Sequence, residues 1–259
     1  MGVFLFDKII FGPVKSRRLG VSLGINLLPT ENKYCNFDCI YCECGRTYKE
    51  EFAKGKLPTR TIIKERLIAV LKKMKDSGQQ PDAMTFAGNG EPTIHPDFEG
   101  IIDDTIEVRD RFFPNCIIAV LSNATLINKP SVFRALNKVE QNILKLDSAF
   151  DKTIQLINNP PKGFTVEKLK KQLKSFNRNL TVQIMFVKGT YQEQVVNNST
   201  SEEVAGLKAI LDELKPKQVM IYTIERDTPS DGLQKVTKER LNEIAHSFRK
   251  SGHNVQISG

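Results

Sequence analysis

Residues 34–45 read Tyr-Cys-Asn-Phe-Asp-Cys-Ile-Tyr-Cys-Glu-Cys-Gly, and the rest of the chain is organised around this stretch. It contains four of the five cysteines of the chain. The C-x3-C-x2-C spacing of Cys35, Cys39 and Cys42 lets three thiolates from one short loop converge on a small metal centre. Thiolates select iron–sulfur clusters, zinc or cuprous copper over hard cations. Three ligands leave one position of a four-iron cluster or of a tetrahedral zinc open, which is typical of a catalytic site.

Tyr41 stands directly before the third cysteine, and the whole loop resembles the signature of the radical S-adenosylmethionine (SAM) superfamily. In that family the three cysteines bind three irons of a [4Fe–4S] cluster, and the amino and carboxylate groups of SAM chelate the fourth iron. The resemblance implies that Cys35, Cys39 and Cys42 are the cluster ligands. It also implies the reaction, in which the reduced cluster splits SAM into methionine and a 5′-deoxyadenosyl radical that abstracts hydrogen from a substrate.

Two further regions resemble the branch of this family that is related to tRNA wyosine synthase: residues 11–26 before the cysteines and residues 88–93 after them. The likeness covers nearly the whole chain. Residues 88–93 resemble the Gly-Gly-Glu-Pro element of the family, with Asn89 in place of its first glycine. The archaeal wyosine synthases carry additional cysteines ahead of the main motif, whereas this chain has none before Cys35.

The Gly-Gly-Glu-Pro element implies a binding site for the methionine end of SAM. Glycine lets the backbone approach a ligand closely, so that carbonyl oxygens and the Glu91 carboxylate can receive the methionine ammonium. Without the cysteines, an ordinary turn between strand and helix would be the better interpretation. The residues implied in this site are Gly88, Asn89, Gly90, Glu91 and Pro92.

The sequence predicts an α/β fold, because short β-branched runs alternate with helical patterns and this rhythm is typical of βαβ units with a parallel sheet. Six units are too few to close an eight-stranded barrel, so we expect a partial (β/α)6 barrel of the radical SAM type. We expect residues 1–259 to form one domain, with residues 1–20 as a lead-in segment. The predicted strands are residues 21–28, 83–87, 116–121, 142–146, 181–187 and 218–223, with an additional one at 254–258. The predicted helices are residues 61–75, 98–111, 131–137, 166–176, 202–214 and 238–250.

Ligands of parallel sheets collect at the carboxyl ends of the strands. The cysteine loop and residues 88–93 follow the first two predicted strands, and polar residues end the next two. The resemblance implies that Ser122 and Asn123 bind the ribose or the methionyl carboxylate, that Asp147 binds ribose hydroxyls, and that Tyr41 lies near the adenine. Ser122, Asn123 and Asp147 could each instead cap a helix or form a turn. His95 is expected to order the turn into the helix that begins near Asp97.

Several residues have two interpretations. Cys44 could be a fourth ligand, which would make the protein an electron carrier, but its one-residue separation from Cys42 favours a nonligand thiol near the cluster. Arg17 and Arg18 could bind a phosphate or carboxylate of the substrate, or form surface ion pairs. Residues 191–201 are polar and follow the fifth predicted strand, so they are expected to form a mobile loop over the rim.

The formal net charge of +8 and the pI near 9.2 admit a polyanionic partner, although much of the lysine lies on the outer faces of predicted helices such as residues 166–178, where a solvated surface is the better interpretation. By the resemblance and the charge together, the leading substrate is a nucleoside in tRNA. No stretch approaches the roughly 20 apolar residues of a membrane helix, and clustered cysteines fit a reducing compartment, so we expect a cytoplasmic protein. It would need a cellular one-electron reductant of the flavodoxin or ferredoxin type. The sequence contains no Ser–His–acid grouping and no Walker-type phosphate loop.

Two alternatives to this function remain open at the level of sequence. One is a glycyl-radical-enzyme activase, which is similarly small and acts on a protein. The other is a noncatalytic iron–sulfur or zinc protein that serves electron transfer or structural support. The sequence does not predict the oligomeric state.

Overall fold

The computed structural model describes residues 4–16, 19–47, 56–177 and 179–258. The strands in these ranges are β1 (Ile10–Ser16), β2 (Gly20–Ile25), β3 (Ala83–Phe86), β4 (Ile117–Ser122), β5 (Gln141–Lys145), β6 (Thr181–Tyr191), β7 (Gln194–Asn197), β8 (Gln218–Thr223), β9 (Leu233–Lys235) and β10 (Val255–Ser258). The α-helices are α1 (Arg60–Asp76), α2 (Phe98–Phe112), α3 (Pro130–Lys138), α4 (Asp151–Asn158), α5 (Val166–Leu173), α6 (Ser201–Leu214) and α7 (Lys238–Lys250).

The strands form one sheet in the order β1-β2-β3-β4-β5-β6-β8-β10. All neighbours from β2 to β10 along this path are parallel, and β1 is antiparallel to β2 at the edge. The sheet is strongly curled, so the prediction of an α/β partial barrel is confirmed. Parallel strands put all their carboxyl ends at one rim of the sheet, where the site lies. The extent of the domain, residues 1–259, stays a prediction.

Each predicted strand and helix has a counterpart, and the additional strand at residues 254–258 is β10. Helices α1, α5, α6 and α7 each begin after a threonine whose side chain accepts a hydrogen bond from the backbone nitrogen three residues later, which satisfies an otherwise unpaired donor. Thr200 accepts from Glu203 N in this way at the start of α6. Before α2 the turn is ordered by His95, whose Nδ1 accepts from Asp97 N at 3.1 Å, and the Asp97 side chain itself makes no cap bond.

Three expectations from the sequence are wrong or incomplete. Part of the lead-in segment is β1, which pairs with β2 across an irregularity between Phe11 and Val14. The pair Gly12-Pro13 inside this strand is typical of a turn, so the strand was not predicted. Residues 191–201 do not form an irregular loop: β6 turns back into β7, and Val196 of β7 is buried. The short helix α4 was not predicted, because its eight residues bury only Ile154, Ile157 and Asn158.

The apolar core lies between the sheet and the helices outside it. Helix α1 illustrates the pattern, since Ile63, Leu67, Leu71 and Met74 form its buried face. A second, smaller apolar cluster surrounds the cysteine loop and includes Met185 and Val187 of β6. None of the helices in the described ranges combines the length and the apolar character that crossing a membrane would require.

Candidate active site

The cysteine loop lies between β2 and α1 and is held by backbone hydrogen bonds at its start and in its middle. At its start, Tyr34 pairs with Gly90 as a parallel bridge, in which Tyr34 N donates to Asn89 O at 2.7 Å and Glu91 N donates to Tyr34 O at 3.1 Å. In its middle, the loop is bound to the carboxyl end of α4. Asp38 N donates to Asn158 O and Ile40 N donates to Ile157 O, both at 3.0 Å. The loop conformation therefore depends on two distant segments of the chain.

The thiols of Cys35, Cys39 and Cys42 line one cavity of about 310 Å³. Cys35 and Cys39 are buried and Cys42 is half-buried. The volume falls at the small end of the range of about 300–1,000 Å³ that is usual for ligand sites. The cavity wall also includes Gly88, Gly90, Glu91, Ser122, Asn123 and Tyr41, so the structure brings these predicted residues together with the cysteines.

Burial raises the pKa of the Cys35 and Cys39 thiols, because it disfavours the charged thiolate. Cys42 differs: a hydrogen bond with the Cys44 side chain lowers the pKa of Cys42 to about 5 and raises that of Cys44 above its ordinary value. Cys44 Sγ also lies 3.7 Å from Gly88 O. The Cys44 thiol therefore has a backbone acceptor in the protein, which agrees with the nonligand interpretation.

Glu91 is buried at the rim between β3 and β4, and its carboxylate accepts several hydrogen bonds. Ser122 Oγ donates to Oε1 at 2.8 Å, Asn123 N donates to Oε2 at 2.6 Å, and both the backbone and the hydroxyl of Thr93 donate to Oε1. Burial raises the pKa of Glu91, and these hydrogen bonds partly offset that rise. Among the described residues, Asn123 N is the one donor to Oε2, so this oxygen retains capacity for a donor from the cavity.

Ser122 and Asn123 are themselves tied into this rim. Ser122 Oγ accepts from Ala124 N at 3.0 Å, and Asn123 Oδ1 accepts from Thr125 N and Thr125 Oγ1. Asn123 Nδ2 donates to Asn36 Oδ1 at 2.7 Å and lies 3.7 Å from Cys35 Sγ. The polar atoms of both side chains already have protein partners, so the geometry supports a role in holding Glu91 and the cysteine loop.

Asn89 points away from the cavity. Its side chain accepts from Phe6 N at 2.8 Å and donates to Phe6 O at 2.9 Å and Pro29 O at 2.8 Å. It thereby fastens the segment before β1, and Phe6 becomes part of the cavity wall. Pro92 also lies outside the wall and begins a short 3-10 helix, Pro92–Ile94. Of residues 88–92, the structure therefore places Gly88, Gly90 and Glu91 at the cavity.

Asp147 is fully buried behind the wall rather than facing the cavity. Its Oδ2 accepts from Tyr41 Oη, from Asn158 Nδ2 at 2.8 Å and from Lys145 Nζ at 3.3 Å, and its Oδ1 accepts from Met185 N at 2.9 Å. Burial and the neighbouring Asp147 raise the pKa of Tyr41. These bonds occupy the carboxylate that the sequence assigned to ribose hydroxyls, and the placement favours a supporting role.

Several cavity residues were not predicted from the sequence, namely Phe6, Lys33, Lys145, Gln183, Tyr222 and Arg226. Burial opposes the charged form of Lys33, but the surrounding cysteine thiolates outweigh it, so the pKa of Lys33 is raised. Burial likewise opposes the Lys145 ammonium, but Asp147, Tyr222 and Cys39 together outweigh it, so the pKa of Lys145 is raised. A signal existed for both lysines, since Lys33 lies two residues before Cys35 and Lys145 two residues before Asp147. Arg17 and Arg18 lie outside the described residues.

The donor set fits an iron–sulfur cluster better than a single ion. In the described ranges, no group of three or more His, Cys, Asp or Glu side chains could hold one metal ion. A single zinc would need its thiolates within about 2.3 Å of the metal, whereas a cluster takes each thiolate at a different iron. Cationic Lys33 and Lys145 at the wall suit a group that carries net negative charge once three thiolates bind it.

Residues 32–199 match the family described as the Radical SAM superfamily. The chain belongs to the radical SAM superfamily. Enzymes of this superfamily use a [4Fe–4S] cluster and SAM, so the predicted family and cofactors are confirmed. The likeness to wyosine synthase is present at the level of fold: archaeal TYW1 has a TM-score of 0.56 at 13% identity, over 89% of this chain and 72% of that one.

The chain resembles other radical SAM proteins over most of its length. A crystal structure of a radical SAM methyltransferase from Sphaerobacter thermophilus has a TM-score of 0.69 at 15% identity, over 92% of this chain and 65% of that one. Such identities show a shared fold alone. A UPF0026 protein of Helicobacter pylori strain J99 is 32% identical over 227 residues, which are 84% of this chain and 67% of that protein, so the chain also belongs with the UPF0026 proteins.

A protein of Brachyspira hyodysenteriae named GTPase Obg is 31% identical over 257 residues. These residues are 98% of this chain but only 35% of that protein. The chain therefore spans about a third of the length of this relative. The GTPase activity in that name belongs to the much longer protein.

Proposed function

We propose that this radical SAM protein binds one [4Fe–4S] cluster through Cys35, Cys39 and Cys42 and cleaves SAM reductively to methionine and a 5′-deoxyadenosyl radical. The observation that carries the proposal is the shared cavity, in which the three thiols face the buried carboxylate of Glu91. When bound, the cluster supplies one electron of low potential to the sulfonium of SAM.

The residues of the chain bind and orient the methionine end of SAM. Glu91 Oε2 receives the methionine ammonium, and Ser122 and Asn123 keep the carboxylate of Glu91 in place from β4. The absence of a Cβ at Gly90 permits the bridge to Tyr34, which sets the position of the whole cysteine loop against Glu91. Tyr41, held by Asp147 and Lys145, forms the wall beside the cluster.

This activity is tested by anaerobic reconstitution followed by addition of dithionite and SAM. The expected result is 5′-deoxyadenosine, formed even without substrate, together with iron and sulfide near four of each per chain. Protein that binds zinc and yields no 5′-deoxyadenosine would reject the proposal in favour of a structural metal site.

Cys44 distinguishes an enzyme from an electron carrier. We expect Cys42→Ala to lose the cluster and Cys44→Ala to retain it, because the Cys44 thiol donates to the backbone oxygen of Gly88, with 3.7 Å between Sγ and O. The two variants are compared by iron content and by the electron paramagnetic resonance (EPR) signal of the reduced cluster. Equal loss in both variants would mean that a fourth cysteine closes the cluster and leaves no iron for SAM.

The substrate we propose is a nucleoside in tRNA, and the reductant a flavodoxin or ferredoxin. The net charge of +8 supports a polyanionic substrate. Mass spectrometry of tRNA nucleosides from a deletion strain tests this assignment, and the expected result is the loss of one modified nucleoside that the wild-type gene restores. An unchanged nucleoside profile would reject tRNA while leaving SAM cleavage intact.

A further inference from the structure

Asn158 is the last residue of α4, and its side chain is fully buried beside the cysteine loop. Its Nδ2 lies 3.3 Å from Cys39 Sγ, 2.8 Å from Asp147 Oδ2 and 3.1 Å from Tyr41 Oη. An amide nitrogen carries two protons, so one can serve Asp147 while the other is shared between Cys39 and Tyr41. The sulfur of a predicted cluster ligand therefore faces a fixed hydrogen-bond donor.

The backbone keeps this donor in place. Asn158 O and Ile157 O accept the backbone bonds of Asp38 and Ile40, the residues on either side of Cys39, so the end of α4 and the middle of the loop form one unit. The opposite partner of the amide is equally fixed, since Asp147 Oδ1 is bound by Met185 N. The amide nitrogen cannot turn away from Cys39 without breaking its bond to a buried carboxylate.

The contacts at Cys35 are weaker. Asn123 Nδ2 lies 3.7 Å from Cys35 Sγ, and the same nitrogen has a shorter bond of 2.7 Å to Asn36 Oδ1. The other donor to Cys35 is the backbone nitrogen of Phe37, at 3.4 Å, which no substitution of a side chain removes. Of these two side-chain donors, Asn158 makes the shorter contact with a cysteine sulfur, so it is the better one to substitute.

We infer that Asn158 is a positioning residue that hydrogen-bonds to the Cys39 thiolate and raises the reduction potential of the cluster. The inference rests on the proposed function, in which Cys39 is a cluster ligand. Reduction adds one electron, and part of its charge resides on the cysteine sulfurs. An N–H group pointing at one of these sulfurs stabilises the reduced cluster more than the oxidised one. Removing it makes reduction harder.

The test compares reconstituted wild-type protein with Asn158→Leu, which has a similar volume and no N–H group. Iron and sulfide contents are measured first, and the midpoint potential then follows from a redox titration monitored by EPR without SAM. We expect unchanged cluster content and an equilibrium constant for reduction that falls about tenfold, because reduction places more charge on the sulfur and so strengthens its hydrogen bond to the amide. Tenfold is about 59 mV for a one-electron couple.

Two controls separate this effect from general damage. Asn142 is also buried and lies near the amino end of β5, where its Nδ2 donates to Asn179 O. Asn142→Leu therefore removes a buried amide far from the cysteines and should leave the reduction potential unchanged. Tyr41→Phe removes the hydroxyl that shares the Asn158 proton but leaves the donor to Cys39 in place. It should not reproduce the negative shift.

A more negative potential in Asn158→Leu alone supports the inference. An unchanged potential in Asn158→Leu with full cluster content overturns the inference about Asn158. An equal shift of the potential in Tyr41→Phe or Asn142→Leu overturns it as well. Both outcomes leave the proposed function standing. If Asn158→Leu cannot hold the cluster, the comparison is repeated with Asn158→Ala. Loss of the cluster in both variants overturns the inference that Asn158 sets the reduction potential, because Asn158 would then act on cluster assembly. Wild-type protein that holds no cluster overturns the proposed function itself.

Discussion

Replacing Asn89 with alanine removes the side chain that ties the segment before β1 to the turn carrying Glu91. The change deletes three hydrogen bonds, to Phe6 N, Phe6 O and Pro29 O, with lengths of 2.8, 2.9 and 2.8 Å. At about 1 kcal/mol net for each bond, the upper limit of the loss is about 3 kcal/mol. Phe6 is half-buried, so water can replace part of its bonding, and we expect a loss of about 2 kcal/mol in the free energy of unfolding.

The assay is anaerobic urea unfolding together with hydrogen exchange at the Phe6 amide. Asn198→Ala is the matched control, because Asn198 is also fully buried and its side chain makes three hydrogen bonds, to Val187 N, Asp147 O and Met185 O. Both variants should lose similar stability, but only Asn89→Ala should lose protection of the Phe6 amide. If Asn89→Ala unfolds within about 0.5 kcal/mol of wild type and keeps that protection, the assigned role of Asn89 is refuted.

Three other substitutions have defined outcomes. Gly90 has φ +143°, and a Cβ at this position would lie 1.9 Å from Tyr34 O. Gly90→Ala should therefore reduce the amount of iron bound after reconstitution. The control Gly163→Ala, at φ +85° with open space around it, should bind as much iron as wild type. Hydrogen bonding to Arg60 holds the pKa of Asp104 below its usual value, so its stabilisation is complete above the unfolded-state pKa and is lost as pH falls through the folded-state pKa. Asp104→Asn should therefore unfold more easily than wild type at pH 7, by about 1 kcal/mol, and a difference in urea midpoint that persists at strongly acidic pH would contradict this. Thr200→Ala removes the cap of α6 and should cost about 1 kcal/mol in thermal or urea unfolding, and an unchanged midpoint would show the cap to be dispensable.

The sequence alone determined the features that depend on neighbouring residues. The spacing of Cys35, Cys39 and Cys42 placed the metal-binding loop, and strand and helix periodicities located the units of the partial barrel. A capping residue such as Thr200 was also readable, because its partner lies three residues away. Parallel strands then put Glu91, Ser122 and Asn123 at one rim, since all carboxyl ends of such a sheet face the same way.

Tertiary structure alone decided which polar groups face the cavity. Asp147 lies after a strand end as the sequence predicts, but its carboxylate accepts hydrogen bonds from Tyr41 and Met185 behind the cavity wall. Lys145, two residues earlier, is the one of the two that lines the cavity. Helix α4 is too short to be recognised from its pattern, yet its last residue, Asn158, supports the cysteine loop. The physical reason is that a buried polar group must find partners, and those partners come from segments far apart in the chain, which no local pattern records.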